Sequence, residues 1–452
     1  MQKQTGIHFY INIQEFAKIV CDEENKTGGV THSIHALDTF FSSIENFGKK
    51  VSKNLVVEKI TGSRLHLYIV DKIDLAFNTV KAVSAYAYKL SKYINTGIPK
   101  YKTLNDFYIN VGVAYGKFYD FEFTTKDGFS ETTTIGYAAN FAAKLQALSN
   151  KSEIGISEDI YDALPDDEKK IYTRVDEHSI EKYNQDKYYA AHLSKIVSPI
   201  EISDADMADV KDYANSVNLS DIDFSGVRAL LNFPRLSKTQ CKRLDGIPIF
   251  ADVRGFTSQF KEDDSNIEEM AQKTQKILES MYRVSTGHGG IHVQFQGDRE
   301  LSLYHNVPGE SVNGISQSET KCYKMAVLAS MRMIDAVKPY AVHIGVGAEF
   351  GRLFAAKIGA RGEKDNILLG ETVIQADIME DRCAGEDQVA ITKEVYNGLK
   401  AEDAKLAECF KGTGDYFVAT ISYEKYSREV AYRQQQNNTV RNHYNGAWGD
   451  LV

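Results

Sequence analysis

Hydrophobic residues recur along the chain with two periods, one of about 3.6 residues and one of two. The first period predicts helices and the second predicts short strands, separated by polar turns. In the first half of the chain the helices fall at 33–51, 77–93 and 138–148, and the strands at 55–60, 64–70, 108–115 and 153–156. The strand at 108–115 is predicted to end at Gly116, and Ser157 is a candidate helix N-cap. Helices alternating with hairpins in this way indicate an α+β fold with helices packed on one main sheet.

Four segments of the first half recur in the second half in the same order. They pair 10–16 with 250–256, Gly62 with Gly297, 109–117 with 344–352, and 153–164 with 388–399. Three of the four matches share one offset along the chain, and the first differs from it only by a short insertion, which chance rarely produces. We interpret the chain as a tandem duplication. It divides into a first domain at 1–199, an acidic linker at 200–242, a second domain at 243–427 and a polar tail at 428–452.

Composition narrows the class of protein. With 452 residues, 43% hydrophobic and 25% charged, the chain is typical of a globular protein with more than one core. Its net charge of -9 argues against nucleic acid or an anionic membrane as the main partner. The five cysteines are scattered without metal-ligand spacing, which favours reduced thiols in the cytoplasm. No apolar run reaches about 18 residues and no signal peptide is evident, so we expect no membrane segment.

Two carboxylates follow directly after strand-like apolar runs in the second half. Asp252 follows Ile-Pro-Ile-Phe-Ala, and Asp298 follows His-Val-Gln-Phe-Gln-Gly. Carboxylates on neighbouring strand ends can hold a pair of divalent cations. The backbone N–H groups of Gly255, Phe256 and Thr257, just beyond Asp252, can in addition cradle phosphate oxygens.

A second motif lies in the first half, in the segment Gly-Tyr-Ala-Ala-Asn-Phe-Ala-Ala-Lys-Leu. Asn140 and Lys144 are four residues apart, so on a helix they share one face and point at one ligand. The corresponding segment of the second half has Ile374 and Ile378 at these positions.

The reverse holds for the carboxylates. Asn12 and Ser63 stand in the first half where Asp252 and Asp298 stand in the second. Each half has lost what the other kept, which predicts one competent site and one vestigial site.

Taken together, the segment Phe-Ala-Asp252-Val-Arg-Gly-Phe-Thr, the later Gly-Asp298 and the Asn140 helix resemble the class III nucleotide cyclase family. The resemblance implies two ferredoxin-like cyclase domains that form an intramolecular pseudo-heterodimer with the active site between them. It is similar to the paired cytosolic halves of animal membrane adenylate cyclases, with the order along the chain reversed. Whether the halves pair in a monomer or between the chains of a homodimer stays open.

The resemblance also implies a mechanism, the two-metal cyclisation of a nucleoside triphosphate substrate. Asp252, Asp298 and the carbonyl of Val253 would hold two Mg²⁺ or Mn²⁺ ions about 3.5–4 Å apart. Arg254 and Arg299 flank the aspartates, and we expect both arginines to pair with nearby acids. The expected triphosphate contacts are Gly255, Phe256, Thr257 and Lys182.

In the same family, Asn140 would orient the ribose and the residue at 144 would meet charge on the α-phosphate. The family has arginine there, and Lys144 keeps the cation without the planar fork of a guanidinium. This departure leaves room for a catalytically silent pseudo-cyclase that binds nucleotide.

The base-selecting positions of the family fall, by this resemblance, on Val57 and Thr133. An apolar Val57 leaves the polar edge of a purine unpaired, at a cost of about 1–3 kcal/mol per group. We therefore predict CTP or UTP as the substrate. The chain then resembles the bacterial anti-phage (Pycsar-type) cytidylate and uridylate cyclases, whose cyclic nucleotide acts on a separate effector protein. If the register shifts by one step, Lys59 enters the pocket and an adenylate cyclase becomes the alternative, with a guanylate cyclase as the other purine case.

Overall fold

The protein is described as a computed structural model over most of its length. The described residues are 2–124, 130–183, 185–216, 223–226, 230–236, 240–255, 267–306, 311–312, 315–316, 322–359, 365–419 and 421–429.

The first half, up to residue 199, contains eight strands and six helices among its described residues. The strands are β1 Gln2–Ile13, β2 Leu55–Thr61, β3 Arg64–Ile69, β4 Ile109–Thr124, β5 Ser130–Gly136, β6 Glu153–Ile156, β7 Thr173–Asp176 and β8 Lys187–His192. The helices are α1 Phe16–Thr27, α2 Thr31–Val51, α3 Ile73–Tyr93, α4 Tyr137–Leu148, α5 Glu158–Asp162 and α6 Asp166–Lys169.

A connecting segment with α7 Asp204–Asn215 and β9 Asp223–Gly226 leads to the second half. The strands there are β10 Gln240–Val253, β11 Ile291–Gln296, β12 Arg299–Tyr304, β13 Ser311–Val312, β14 Ile315–Ser316, β15 Ile344–Ala348, β16 Gly351–Ile358, β17 Asp365–Leu369, β18 Gln388–Thr392, β19 Phe410–Thr413 and β20 Tyr416–Ala419. The helices are α8 Ile267–Gly287, α9 Cys322–Val337, α10 Glu371–Ile378, α11 Lys393–Glu402 and α12 Ala404–Ala407, with a π turn Met379–Cys383 directly after α10.

The two halves share one sheet topology. The strand order is β2-β3-β1-β4-β6-β8-β7 in the first half and β11-β12-β10-β15-β18-β20-β19 in the second. In both sheets the central pair is antiparallel, β1 with β4 and β10 with β15, and the next pair is parallel. These are two similar sheets of the ferredoxin-like type, so the predicted α+β fold is confirmed.

Alternation along the central strand separates the two faces of the first sheet. Ile7, Phe9 and Ile11 are fully buried in the core formed with α2 and α3. His8, Tyr10 and Asn12 point to the other face, where α4 packs. Glu58 and the α4 residue Asn140, both of the first half, lie on this second face.

Each half contributes hydrophobic residues to the core of the other. Phe354 and Ile358 of β16 and Ile367 of β17 belong to the core of the first half. Phe123 of β4 and Ile135 of β5 belong to the core of the second half. These exchanged arms hold the two sheets together, and the remaining faces border clefts between the halves.

Most predicted elements are confirmed within a few residues, and one boundary is wrong. β4 does not end at Gly116 but continues to Thr124, because its second part pairs with β5 from Phe118 opposite Gly136 onward. Ser157 directly precedes α5 as predicted, but its side chain makes no capping hydrogen bond. Over the residues described, no helix combines the length and the apolar character that a bilayer span requires.

Candidate active site

Two adjacent strands of the second half bring Asp252 and Asp298 together. Asp252 lies near the end of β10 and pairs across the sheet with Arg299, the first residue of β12. Asp298 lies in the tight turn between β11 and β12, next to Gly297 with φ +70°. Glycine allows this positive φ without steric cost, so the hairpin can close directly beside Asp252.

The two carboxylates share an environment that disfavours their charge. Burial raises the pKa of Asp252, although Arg299 and Arg254 oppose that shift. Burial also raises the pKa of Asp298 well above its usual range, and the neighbouring Asp252 charge adds to the effect. The Asp252 side chain is still 31% exposed, so the pair can be reached from the cleft. Crowded acids of this kind are stabilised when a cation binds between them.

The flanking arginines turn toward other acids. Arg254 lies 2.7 Å from the Glu380 carboxylate and 4.0 Å from Asp252. Arg299 lies 2.6 Å from Glu380 and also pairs with Asp377. The expectation that both arginines pair with acids is therefore confirmed, and the main ion pairs of both lead away from the aspartates.

A divalent cation fits this donor set. Hard cations prefer oxygen ligands, and two crowded carboxylates provide them. Within the described parts of the chain no group of three or more His, Cys, Asp and Glu side chains could hold a metal ion. Within the described part of the chain, backbone carbonyls are the further protein ligands on offer, beside water and substrate oxygens.

Asn140 reaches the same place from the first half. Its Oδ1 atom lies 4.0 Å from where a Cβ on Gly297 would be, beside the turn that carries Asp298. Tyr183 donates a hydrogen bond of 3.3 Å to the Asn140 carbonyl and so supports this part of α4. The structure therefore brings Asn140 together with the aspartate hairpin across the boundary between the halves.

Lys144 follows one turn later on α4, on the same helix face as Asn140. The pKa of the exposed Glu177 is lowered, first by hydrogen bonds from Ser179 and then also by the charge of Lys144. Of the predicted phosphate contacts, Gly255 has φ +63° directly after the Asp252 strand. Lys182 has its backbone in the short 3₁₀ segment His178–Tyr183. The Lys182 side chain, Phe256 and Thr257 lie outside the described residues.

Two glycines show that α4 and α10 occupy equivalent places on their sheets. A Cβ on Gly112 would lie 2.3 Å from the Ala142 carbonyl oxygen, and a Cβ on Gly347 would lie 2.5 Å from that of Ala376. The helices can approach the strands this closely only because glycine has no Cβ. In this alignment Asn140 corresponds to Ile374, as the sequence motif predicts.

The two helices end differently. The Ser149 N–H donates to the Leu145 carbonyl four residues earlier, at 3.0 Å, whereas the Ala384 N–H donates to Met379 five residues earlier, at 2.9 Å. The π turn Met379–Cys383 thus accommodates one extra residue. This insertion explains why the offset between equivalent positions of the two halves grows by one beyond it.

The base-selecting prediction needs a correction at Val57. Its cross-strand partner is Leu67, and both side chains pack against the core of the first half. Asn12 and Asn140 lie on the opposite face of that sheet, so Val57 cannot reach a ligand there. A β-bulge after Val57 shifts the register, and Glu58 turns to the face where Val57 was expected.

Glu58 is held by several donors. The Thr133 hydroxyl donates to its carboxylate at 3.2 Å, the Thr134 N–H donates at 2.9 Å, and His66 pairs with the other oxygen. Burial alone would raise its pKa, but the charge and hydrogen bond of His66, together with Lys59 and Thr134, hold the pKa well below the usual value. Glu58 and the buried Thr133 therefore present a fixed, ionised acceptor.

Lys59 does not face a base in this arrangement. Its ammonium pairs with Glu131 and donates a hydrogen bond of 2.8 Å to the Phe295 carbonyl of the second half. Sequence reasoning missed Glu58 and Glu131. Consecutive polar residues at 58 and 59 interrupt the alternation of β2, and that interruption was the available signal for a bulge.

The counterpart site, where the first half supplies the strand ends, is a cleft of about 300 Å³. Asn12 and Ser63 line it together with Ile374 and Asp377 of α10. Ser63 donates to Asn12 at 2.9 Å, so two neutral side chains satisfy each other where the second half has two carboxylates.

Comparisons with known proteins agree with this geometry. Residues 240–423, which lie almost entirely within the second half, match the sequence model of the adenylate and guanylate cyclase catalytic domain. No curated protein sequence matches the chain.

Among solved structures, the chain is similar to a class III adenylyl cyclase-like ATP-binding protein from Pseudomonas aeruginosa. The identity is 16%, the TM-score is 0.71, and the match covers 95% of this chain and 90% of that one. Adenylyl cyclase CyaB from P. aeruginosa matches at 18% identity and TM-score 0.32, over 39% of this chain and 93% of that one. The guanylyl cyclase domain of RhoGC from the aquatic fungus Blastocladiella emersonii matches at 16% identity and TM-score 0.30, over 39% of this chain and 96% of that one. At these identities the first likeness establishes the fold, a class III cyclase-like fold over nearly the whole chain.

Proposed function

We propose that this protein is a nucleotide cyclase that converts a nucleoside triphosphate to a 3′,5′-cyclic monophosphate and pyrophosphate. The observation that carries the proposal is the position of Asn140 from the first half, with its Oδ1 4.0 Å from the Cβ position of Gly297, beside Asp298. A ribose contact and a metal-binding carboxylate pair, supplied by different halves, then face one cleft.

In the reaction, the ribose 3′-oxygen attacks the α-phosphorus, the bond to the bridging oxygen of pyrophosphate breaks, and the hydroxyl proton passes to solvent. Asp252, Asp298 and the Val253 carbonyl would hold two divalent cations, Mg²⁺ or Mn²⁺. When bound, such ions neutralise phosphate charge and make the 3′-hydroxyl more acidic.

The remaining roles concern the ribose and the phosphates. Asn140 orients the ribose, and Lys144 meets charge that builds on the α-phosphoryl oxygens. The turn at Gly255, Phe256 and Thr257, with Lys182, contacts the triphosphate. The lysine at 144 supplies one point charge where a guanidinium would supply a fork, so we expect modest turnover.

For the base we propose CTP or UTP, on different grounds from those the sequence offered. Glu58 and Thr133 offer an acceptor to a base edge that carries an N–H donor. The cytosine amino group and the uracil imide both carry one. The guanine N1–H and amino group are donors of the same kind, so this acceptor also accommodates GTP and keeps a guanylate cyclase as a purine alternative. Adenine presents an amino donor beside an acceptor nitrogen, as cytosine does, so either base would meet the Glu58 carboxylate through its amino group.

ATP is the second candidate, because Lys59 lies beside Glu58 and the solved structure with the same fold is an ATP-binding protein. For ATP to bind, Lys59 would have to exchange its bonds to Glu131 and Phe295 for a bond to the base.

The test is to incubate the purified protein with each of the four ribonucleoside triphosphates and Mn²⁺ and to identify products by mass spectrometry. Cyclic CMP or UMP supports the proposal, whereas cyclic AMP supports the second candidate and cyclic GMP supports the guanylate cyclase alternative. Binding of a nucleotide without any turnover would replace the proposal with a catalytically silent nucleotide-binding protein. Turnover that survives in Asp298→Asn would contradict the site.

We extend the proposal to a signal in anti-phage defence, in which the cyclic nucleotide acts on a separate effector protein. Cyclic nucleotide should then rise after phage infection in cells that carry the wild-type chain. It should not rise in cells that carry Asp298→Asn, and an unchanged level in both would remove this extension.

A further inference from the structure

We propose that Lys59 and Glu131 of the first half are positioning residues that hold the β11–β12 hairpin, and with it Asp298, in place across the cleft. The inference rests on the proposed function for its kinetic consequence, and its geometry stands independently.

Both backbone groups of Phe295 are bound by side chains of the other half. The Phe295 N–H donates to Glu131 at 3.1 Å, and its carbonyl accepts from the Lys59 ammonium at 2.8 Å. β11 is the edge strand of its sheet among the described strands, so side chains bond its outer backbone groups in place of a strand, Glu131 and Lys59 at Phe295 and Asn366 at Val293. Lys59 and Glu131, which pair with each other, thus take the place of a neighbouring strand.

The contact lies three residues before Asp298, on the strand that leads into the aspartate turn. A two-residue turn transmits a displacement of its strands directly, because it has few free torsions. A shift of Phe295 would therefore move Asp298 relative to Asp252 and to Asn140.

The Lys59–Glu131 ion pair is part of a longer buried series of side chains of alternating charge. His292 Nε2 lies 3.1 Å from Glu131, and His292 Nδ1 lies 2.9 Å from Glu300. The exposed fractions are 5% for Lys59, 16% for Glu131, 6% for His292 and 0% for Glu300. Buried opposite charges that satisfy each other favour one geometry over its alternatives, because any shift leaves a charge without its partner.

A related contact occurs on the other side. The Asp365 carboxylate of β17 accepts a hydrogen bond of 2.6 Å from the Ile60 N–H of β2. In the alignment of the two halves Ile60 corresponds to Phe295 and Asp365 corresponds to Glu131, so each half uses an acid to bind the same backbone position of the other. The hairpin held by Asp365 carries Ser63 instead of a carboxylate, which makes Asp365 a matched control.

The competing assignment for Lys59 is contact with the base. A base contact would change the ratio of kcat/KM between substrates, whereas a positioning role would lower kcat for all substrates alike.

The experiment uses three test variants, Lys59→Met, Glu131→Met and the two changes combined. Asp365→Asn is the control variant. We expect kcat to fall about 10-fold to 100-fold in the first three, equally for every accepted nucleotide, because a misplacement of about 1 Å costs that much. Asp365→Asn should keep kcat within about 2-fold, since it preserves an acceptor for Ile60.

Hydrogen exchange of the 291–304 peptide gives a second readout that needs no turnover. Exchange of this peptide should speed up in the three Lys59 and Glu131 variants and stay at the wild-type rate in Asp365→Asn. The double variant also leaves no lone charge at 59 or 131 if a single variant fails to fold.

A changed substrate ratio in Lys59→Met would overturn the inference in favour of base reading, and so would unchanged exchange in all variants. If the wild-type protein turns over no nucleotide, the proposed function fails, and the exchange data still decide the positioning role.

Discussion

The polar centres of the two halves have the same backbone and opposite chemistry. In the first half, neutral side chains satisfy one another: Ser63 bonds Asn12 at 2.9 Å, Asn12 bonds Asn110 at 3.2 Å, and Gln146 bonds Asn110 at 3.1 Å. Such a network needs no ion, because every partner is an amide or a hydroxyl.

In the second half the same region is charged. Asp252 and Asp298 crowd each other, and Glu380 binds Arg254 and Arg299. Burial, which Arg299 partly opposes, raises the pKa of Glu380 to about 8. A group of charges in this state gains most when a cation or a phosphate enters. The Asp252 centre of the second half therefore keeps polar groups available to a ligand, whereas the Asn12 centre of the first half satisfies its polar groups internally.

One exchange shows how the fold accommodates the difference. Asn110 of β4 donates to the Ser149 carbonyl at 2.7 Å and so caps the end of α4. The second half has Gly345 at this position, and the Arg254 side chain fills the space and donates to the Ala384 carbonyl at 2.8 Å. An arginine from the neighbouring strand has replaced an asparagine, which brings a positive charge close to Asp252.

The largest expected effect is a loss of kcat on substitution of the two aspartates of the second half. Asp252→Asn and Asp298→Asn should each lower kcat about 1000-fold or more, because metal-borne charge stabilisation is worth several kcal/mol. Asn12→Ala and Ser63→Ala, at the equivalent positions, should leave kcat within about 2-fold. Steady-state kinetics with Mn²⁺ measures both pairs. Equal losses in the two pairs would mean that the halves are not divided as proposed.

The next effect is on stability, at the equivalent helix positions 146 and 380. Gln146→Glu puts a carboxylate into the neutral network, at a position that is 2% exposed and next to the Asn110 side-chain oxygen Oδ1. It should cost about 3–5 kcal/mol near neutral pH. Glu380→Gln keeps a hydrogen-bonding group for the two arginines and should cost only roughly 1–3 kcal/mol.

Urea unfolding measures both variants at neutral and at acidic pH. The loss in Gln146→Glu should shrink as pH falls, because the new carboxyl group is then protonated and uncharged. A smaller cost for Gln146→Glu than for Glu380→Gln would contradict the picture of one neutral and one charged centre.

Sequence patterns were sufficient for the parts of this comparison that depend on local order. The period of α2 and α3 and the spacing of Asn140 and Lys144 are set within a few turns of chain, and both were readable. Val57 and Gly116 were misread because a bulge and a continued strand depend on partners far away in sequence: β2 bulges where it faces the second half, and β4 extends to pair with β5. Glu131 and Phe295 are far apart along the chain, so no local pattern predicts their contact.

The smallest expected effect concerns Asp365 and Glu131, the two acids that each bind a backbone N–H of the opposite half. Burial, which Lys59 partly opposes, raises the pKa of Asp365 to about 7, whereas the pKa of Glu131 is lowered because Lys59 and His292 outweigh its burial. Between about pH 4 and pH 7 the folded protein therefore keeps a proton on Asp365 that the unfolded chain has released, and stability falls as pH rises through that window. Asp365→Asn removes this pH dependence. As pH rises through the window, the free energy of unfolding of the variant should therefore increase relative to that of the wild type. The increase should be at most roughly 1 kcal/mol per pH unit, and less after solvent screening. Above pH 7 the difference should be constant, which thermal unfolding at pH 5, 6, 7 and 8 will measure. A difference that does not change with pH would mean that Asp365 titrates normally, and the contrast between the two acids would then lie in their geometry alone.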